Sequence, residues 1–348
     1  MNSDLLTVIN GHCLAELAKL PAESVQCCVT SPPYFGLRDY GHPDQIGQEK
    51  SPAEFVAKMV AVFTEVHRVL RADGTLWLNL GDSYAGSGRG PDTGSTTLQG
   101  SRANQAESRK SAHFHAGACG SGSIGRRWVP PPEGLKNKDL IGIPWRVAFA
   151  LQSAGWYLRD DIIWHKPNPM PESVTDRPTR AHEYIFLLSK SPRYFYDAAA
   201  IAEPAIYGDN GSKFDGERDA AVHDGIGKTR RTTVARGGFN GKTNELEGRE
   251  AFRAIKDTRN KRDVWTVPSQ PYREAHFATF PPDLIKPCIL AGSRGGDLVL
   301  DPFGGSGTAG MVALELGRRA LLIELNPDYC RLICQRCAIT PGLPLNAA

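Results

Sequence analysis

The stretch LVLDPFGGSGTAG, residues 298–310, runs an apolar strand directly into a glycine-rich turn and then into a helix. So short a strand-to-helix passage belongs to βαβ architecture, in which a parallel sheet is covered on both faces. Glycine supplies positive φ and lets backbone approach a ligand closely. The helix that follows offers unpaired N–H groups at its start.

Gly305, Gly307 and Gly310 satisfy G-x-G-x-x-G, and Glu324 closes the next strand, RALLIEL, where its carboxylate can take two ribose hydroxyls. A dinucleotide site is one reading of this pattern. Asp301, at the strand end before the turn, favours another, because a carboxylate repels a pyrophosphate and attracts a cationic or amino-bearing ligand. S-adenosylmethionine carries an ammonium, a sulfonium and a ribose diol but no phosphate, and it suits the arrangement better.

The same rhythm opens the chain. SVQCCVT (24–30) reads as a short buried strand. A helix follows with Ser51 as N-cap, Pro52 at its first position and Glu54 completing a capping box, and Phe55, Met59, Phe63, Val66 and Leu70 form its apolar face. RADG reads as a turn, and TLWLNL (75–80) as the next strand. Further on, IPWRVAFALQSAGW reads as a helix, LRDDIIWHK and AHEYIFLLSKS as strands, FPPDLIKPCILAG as a helix, and a last helix begins at Asn326. The expected fold is α/β: a doubly wound, mostly parallel, Rossmann-like sheet.

Two zones break the rhythm. Residues 86–134 are rich in glycine and serine, too long for an ordinary connector, and read as a functional or disordered insertion. The second zone runs from about 192 to 275 and holds, between Lys228 and Arg262, eleven basic residues against four acids. The whole chain of 348 residues carries only +3, so an argument for nucleic acid rests on this local cluster alone. Of its members, Arg230, Arg231, Arg236, Lys256, Arg259, Lys261 and Arg262 are the candidate phosphate contacts. The bland alternative is a solvated polar loop.

The first residues read as lacking a secretion signal, no apolar run is long enough to suggest a membrane span, and eight cysteines in such a chain read as reduced thiols of a cytoplasmic protein.

A proline corner follows the first strand, at Ser31-Pro32-Pro33-Tyr34. Proline has no N–H, so the backbone there presents carbonyls alone. The Ser31 hydroxyl and the Pro32 carbonyl can accept both hydrogens of an amino group, which draws its nitrogen out of conjugation and frees its lone pair. Tyr34 can stack on the ring that bears the amine. Taken alone, the stretch is equally a plain end to a strand.

TSPPY together with DPFGGSGT resembles the catalytic and cofactor motifs of the amino-methylating DNA methyltransferases. The catalytic motif precedes the cofactor motif, as in the permuted β group of that family, whose target-recognition region lies between them. LRADGTLWLNLGDSY, IIWHKPNPMPESVTDRPTRAHEYIFLLSK and HFATFPPDLIKPCILAG are similar to further family blocks.

The resemblance implies methyl transfer from S-adenosylmethionine to an exocyclic amine in double-stranded DNA, with no metal. It implies a catalytic half over 1–192, a target-recognition region over 193–275 and a cofactor half over 276–348. Ser31, Pro32, Pro33 and Tyr34 would form the catalytic corner. Phe280, Asp301, Pro302, Phe303, Gly304, Gly305, Gly307, Thr308 and Glu324 would bind the cofactor. In the family, serine before Pro-Pro-Tyr usually accompanies N4-cytosine and aspartate usually accompanies N6-adenine, so cytosine is expected and adenine is the alternative. A cognate restriction endonuclease and a homodimer are partners that such a role admits. NGHCL places His12 where the family commonly has aspartate, so His12 is not taken as a cofactor ligand.

Other patterns point elsewhere. Cys330, Cys334 and Cys337 have an iron–sulfur-like spacing but lie at helical intervals, where buried thiols are the simpler account. His113 and His115 near Cys119 read as incidental. Asp82 is either a helix cap or a support for the active site. A nicotinamide dehydrogenase leaves the proline corner idle, and a non-catalytic DNA-binding module leaves both strand-end motifs idle.

Overall fold

The computed structural model describes residues 5–37, 42–86, 131–132, 134–205, 258–270 and 280–338. Most of the 86–134 segment, including His113, His115 and Cys119, lies outside them, as do Arg230, Arg231, Arg236 and Lys256. The chain divides into two compact units, one of residues 1–200 with 262–348 and one of residues 201–261.

The larger unit is built on eight strands: β1 (Leu6–Asn10), β2 (Val25–Thr30), β3 (Leu70–Leu80), β4 (Tyr157–His165), β5 (His182–Ser189), β8 (Val264–Thr266), β9 (Leu298–Asp301) and β10 (Arg319–Glu324). They form one sheet in the order β1-β10-β9-β2-β3-β5-β4-β8. From β1 to β3 all neighbours are parallel, β5 is antiparallel to both β3 and β4, and β8 pairs parallel with β4. In the smaller unit, β6 (Glu203–Pro204) and β7 (Thr258–Arg259) pair antiparallel.

Six helices accompany the sheet among the described residues: α1 (Cys13–Leu17), α2 (Pro52–Val69), α3 (Ile143–Ser153), α4 (Pro282–Gly292), α5 (Thr308–Glu315) and α6 (Pro327–Ala338). Helix α2 packs on α1 and α3, while α5 packs on α4 and α6. The strands divide their side chains between these two layers. Cys28, Leu76, Leu78, Phe186 and Leu188 join the core with α2 and α3, whereas Cys27, Thr75 and Trp77 face Gly292 of α4. β2 is buried along its whole length, as befits a central strand covered on both sides.

Local expectations are met at α2. The Ser51 side chain accepts from Glu54 N at 3.2 Å with Pro52 at the first position, although Glu54 reaches back to Lys50 N rather than to the cap residue itself. β3 begins five residues before the expected TLWLNL, because RADG is taken into the strand, where the pairing with β2 shifts register between Val25 and Cys27. The edge strands β1 and β8 have no counterpart in the sequence reading. Both are short, and each pairs with a single neighbour.

No helix among the described residues is long and apolar enough to cross a membrane.

Candidate active site

The chain leaves β9 toward β10 on one side and β2 toward β3 on the other, so the strand order reverses between β9 and β2, which are themselves parallel. In open α/β sheets ligands bind at that crevice, beyond the carboxyl ends of the strands. Asp301 ends β9 and Ser31 follows the end of β2, so register brings the two sequence motifs together. Thr30 Oγ1 donates to Asp301 Oδ1 at 2.6 Å.

At the proline corner, no hydrogen bond reaches the Pro32 carbonyl among the described residues. Ser31 Oγ lies 3.2 Å from Asn79 Oδ1, and Tyr34 Oη lies 2.7 Å from Glu183 Oε2 and 3.0 Å from Asn79 Oδ1. The Tyr34 ring rests on Gly81, where a Cβ would stand 2.5 Å from its Cε2. Asn79, at the penultimate position of β3, donates through Nδ2 to Tyr184 O at 3.0 Å.

Glu183 forms an ion pair with Lys166, whose ammonium sits 4.2 Å from the centre of the Trp164 ring. Burial alone would push the Glu183 pKa up. The Lys166 charge and the hydrogen bonds from Lys166, Tyr34 and Asn79 outweigh it and hold the carboxyl below its usual range.

At the glycine turn, Asp301 is 2% exposed, and its bonds from Thr30 and from Phe303 N at 3.0 Å both fall on Oδ1. Burial, with Glu324 adding repulsion, raises its pKa to about 7. Glu324 is likewise raised, chiefly by burial, although it accepts from Gly305 N at 2.7 Å and Asn326 N at 2.8 Å. Two carboxylates kept reluctantly charged make a site that gains from a cationic ligand and would reject a pyrophosphate. This donor set fits S-adenosylmethionine: Asp301 would face its charged end and Glu324 its ribose diol.

The glycines do not share one duty. Gly305 and Gly307 adopt φ +51° and +80°, and a Cβ on Gly304 or Gly307 would also press on Ile333 of α6 at 3.2 and 3.1 Å. Gly310 lets α5 close on Leu322 of β10. Thr308 is buried and its hydroxyl accepts from Arg336 at 2.9 Å, so its side chain is turned to the protein. Pro302 is buried beneath the turn, and Phe303 and Phe280 are half-buried.

Asp82 is a helix cap: its carboxylate accepts from Gly142 N and Ile143 N at the start of α3. Of the three helical cysteines, Cys337 is buried, Cys330 half-buried and Cys334 exposed, which corrects the expectation that all three are buried. Among the described residues no group of three histidine, cysteine or acidic side chains could hold a metal. In the smaller unit, Arg259 and Lys261 both pair with Glu203, at 3.4 and 3.6 Å. Arg262, in the larger unit, is exposed.

Sequence reasoning missed Thr30, Asn79, Lys166 and Glu183. The signal for Asn79 was its place at the end of TLWLNL, beside the sheet crevice. Lys166 and Glu183 stand in blocks that carried the family resemblance, and only their pairing was hidden.

This strand order, with one antiparallel strand near one edge and an acid–glycine turn at the switch point, defines an S-adenosylmethionine-dependent methyltransferase. Solved structures share the fold. The PvuII DNA methyltransferase, cytosine-N4-specific, superimposes with a TM-score of 0.57 at 16% identity, over 99% of this chain and 90% of that one. TTHA0409 of Thermus thermophilus, solved in complex with S-adenosyl-L-methionine, gives 0.53 at 21% identity over 97% and 95%.

The N6/N4 methyltransferase family model, described as DNA methylase, matches residues 25–335. The type II methyltransferase M.Cfr9I of Citrobacter freundii is 44% identical over 95% of this chain and 87% of its own length. M.SmaI of Serratia marcescens is 42% identical over 94% and 89%. The chain belongs to the N6/N4 family of amino-methylating DNA methyltransferases, and its cofactor is S-adenosylmethionine.

Proposed function

We propose that the chain methylates the N4 amine of cytosine in double-stranded DNA, with Ser31, Pro32, Pro33 and Tyr34 as the catalytic corner. The observation that carries this reading is the hydroxyl of Ser31 beside the Pro32 carbonyl, which accepts no hydrogen bond among the described residues. Two neutral acceptors stand at one end of β2, next to an aromatic ring held against Gly81. Serine in that place usually accompanies N4-cytosine specificity in the family, and the PvuII enzyme is cytosine-N4-specific by name. Adenine N6 is the second reading, supported by the DNA adenine methyltransferase YhdJ of Escherichia coli, 22% identical over 95% of this chain.

In this mechanism the target base is flipped out of the duplex and stacks on Tyr34. Ser31 Oγ and the Pro32 carbonyl each accept one hydrogen of the amine, which concentrates its lone pair. When bound, S-adenosylmethionine supplies an electrophilic methyl group. Asp301 and Glu324 hold the cofactor beside that amine, and positioning provides most of the rate. Phe280, Pro302, Phe303, Gly304, Gly305, Gly307 and the backbone of Thr308 complete the cofactor wall. Arg262 and the basic residues before it meet DNA phosphates, and residues 193–275 choose the sequence. Type II relatives further suggest a cognate restriction endonuclease as the cellular counterpart.

Incubation with labelled S-adenosylmethionine and unmethylated genomic DNA, followed by nucleoside analysis, tests the reading. N4-methylcytosine is the expected product. N6-methyladenine would move the assignment to the second reading, and full activity in Ser31→Ala would remove Ser31 from the site.

A further inference from the structure

Glu183 is an acid beside the catalytic corner to which the reaction so far gives no task. We propose, on the reading that Ser31 to Tyr34 hold the target amine, that Glu183 is a positioning residue that takes up, through Tyr34, the proton the amine loses.

The direction of the hydrogen bonds supports this. Asn79 Nδ2 is committed to Tyr184 O at 3.0 Å, which turns Oδ1 toward Ser31 and Tyr34. An ionised carboxylate has no hydrogen to give. The single hydroxyl hydrogen of Tyr34 therefore goes to Glu183, its shorter contact at 2.7 Å, and that of Ser31 goes to Asn79. Both hydroxyl oxygens then offer lone pairs to whatever enters the corner.

Lys166 keeps Glu183 in the ionised form that this polarity needs. The other charged or titratable groups around the pair are Tyr34 from the loop after β2 and His182 beside Glu183 on β5, with Arg180 and His165 next to His182. Lys166 stands nearest to the carboxylate and decides its charge.

The proton balance closes along the same path. The methylated nitrogen is cationic and must shed one hydrogen. Its N–H bond breaks as a new O–H bond forms on Ser31, whose own hydroxyl hydrogen passes to Tyr34 Oη 3.5 Å away, and the original Tyr34 O–H breaks as Glu183 Oε2 becomes protonated. Tyr34 ends neutral, and Glu183 later gives the proton to water. A protonated amine on a conjugated ring is so strong an acid that even a carboxylate held below its usual pKa suffices as acceptor.

The test is single-turnover methyl transfer to unmethylated genomic DNA, alongside dissociation constants for cofactor and DNA. Glu183→Gln keeps shape and can still accept from Tyr34, but it cannot take the proton. Its rate should fall about 100-fold with both dissociation constants within about twofold of wild type. Tyr34→Phe should lose as much, and the double variant no more than either single one.

In Lys166→Met burial is opposed only by the hydrogen bonds from Tyr34 and Asn79, so the acid limb of the rate profile should move to higher pH, which a structural role would not produce. A Glu183→Gln rate within about threefold of wild type, weakened cofactor or DNA binding in that variant, or an unmoved acid limb in Lys166→Met would each overturn the proposal. Absence of exocyclic methylation by the wild-type protein would instead defeat the proposed function, so the two failures are distinct.

Discussion

Thr30 and Asp301 stand 271 positions apart in the sequence and share a 2.6 Å hydrogen bond between adjacent strand ends. That bond ties the catalytic corner to the cofactor turn. It also leaves Asp301 with both of its protein donors on one oxygen, while burial holds its pKa at about 7.

The raised pKa sets a stability prediction. The folded protein binds the Asp301 proton more tightly than the unfolded chain, whose carboxyl titrates near the ordinary aspartate value. The contribution to stability is therefore full below that ordinary value and is lost as pH rises through about 7. Asp301→Asn keeps an acceptor for Thr30 and Phe303 and removes the buried charge. Its melting temperature should exceed that of wild type by a few degrees at about pH 8, with the gap narrowing below about pH 7 and closing only near about pH 4, as read by calorimetry without cofactor.

Cofactor affinity should follow the same group in the opposite sense. A cationic ligand prefers ionised Asp301, so as pH falls from about 7.5 to about 5.5 its dissociation constant should rise by up to about tenfold per unit below the pKa. Isothermal titration across that range measures it. The slope should be absent in Asp301→Asn, whose binding is weaker throughout.

Gly81 sets where the Tyr34 ring lies. A methyl there would meet Cε2 at 2.5 Å and Cδ2 at 2.9 Å, so Gly81→Ala must push the ring off its place. Methyl transfer should fall about 100-fold, since small misplacements at a reacting centre are costly. Circular dichroism should report an intact fold.

Gly292 is a packing glycine remote from the chemistry. A Cβ there would meet Cys27 Sγ at 2.7 Å and both Thr75 Oγ1 and Trp77 Nε1 at 2.8 Å, beneath α4. Gly292→Ala should cost about 1–3 kcal/mol in denaturant unfolding and leave the cofactor dissociation constant nearly unchanged in the folded fraction.

Much of this site was legible in the chain itself. Strand, glycine turn and helix at 298–315, the cap at Ser51 and the donor-free corner at Pro32-Pro33 are local features, dictated by φ preferences, missing N–H groups and apolar spacing over a few residues. Those features named the chemistry: acceptors for an amine and acids for a cationic cofactor.

The tertiary structure decided how they meet. Asn79 reaches the site because β3 lies beside β2, with Leu78 opposite Thr30. Lys166 and Glu183 reach it because β5 runs antiparallel beside β3, with Leu80 opposite Tyr184, and beside β4, with Trp164 opposite Glu183. Register across a sheet depends on the packing of both its faces, which no single segment encodes. For the same reason Gly304 and Gly307, alike in sequence to Gly305, prove to serve contact with α6, and two motifs far apart in the chain become neighbours through one hydrogen bond.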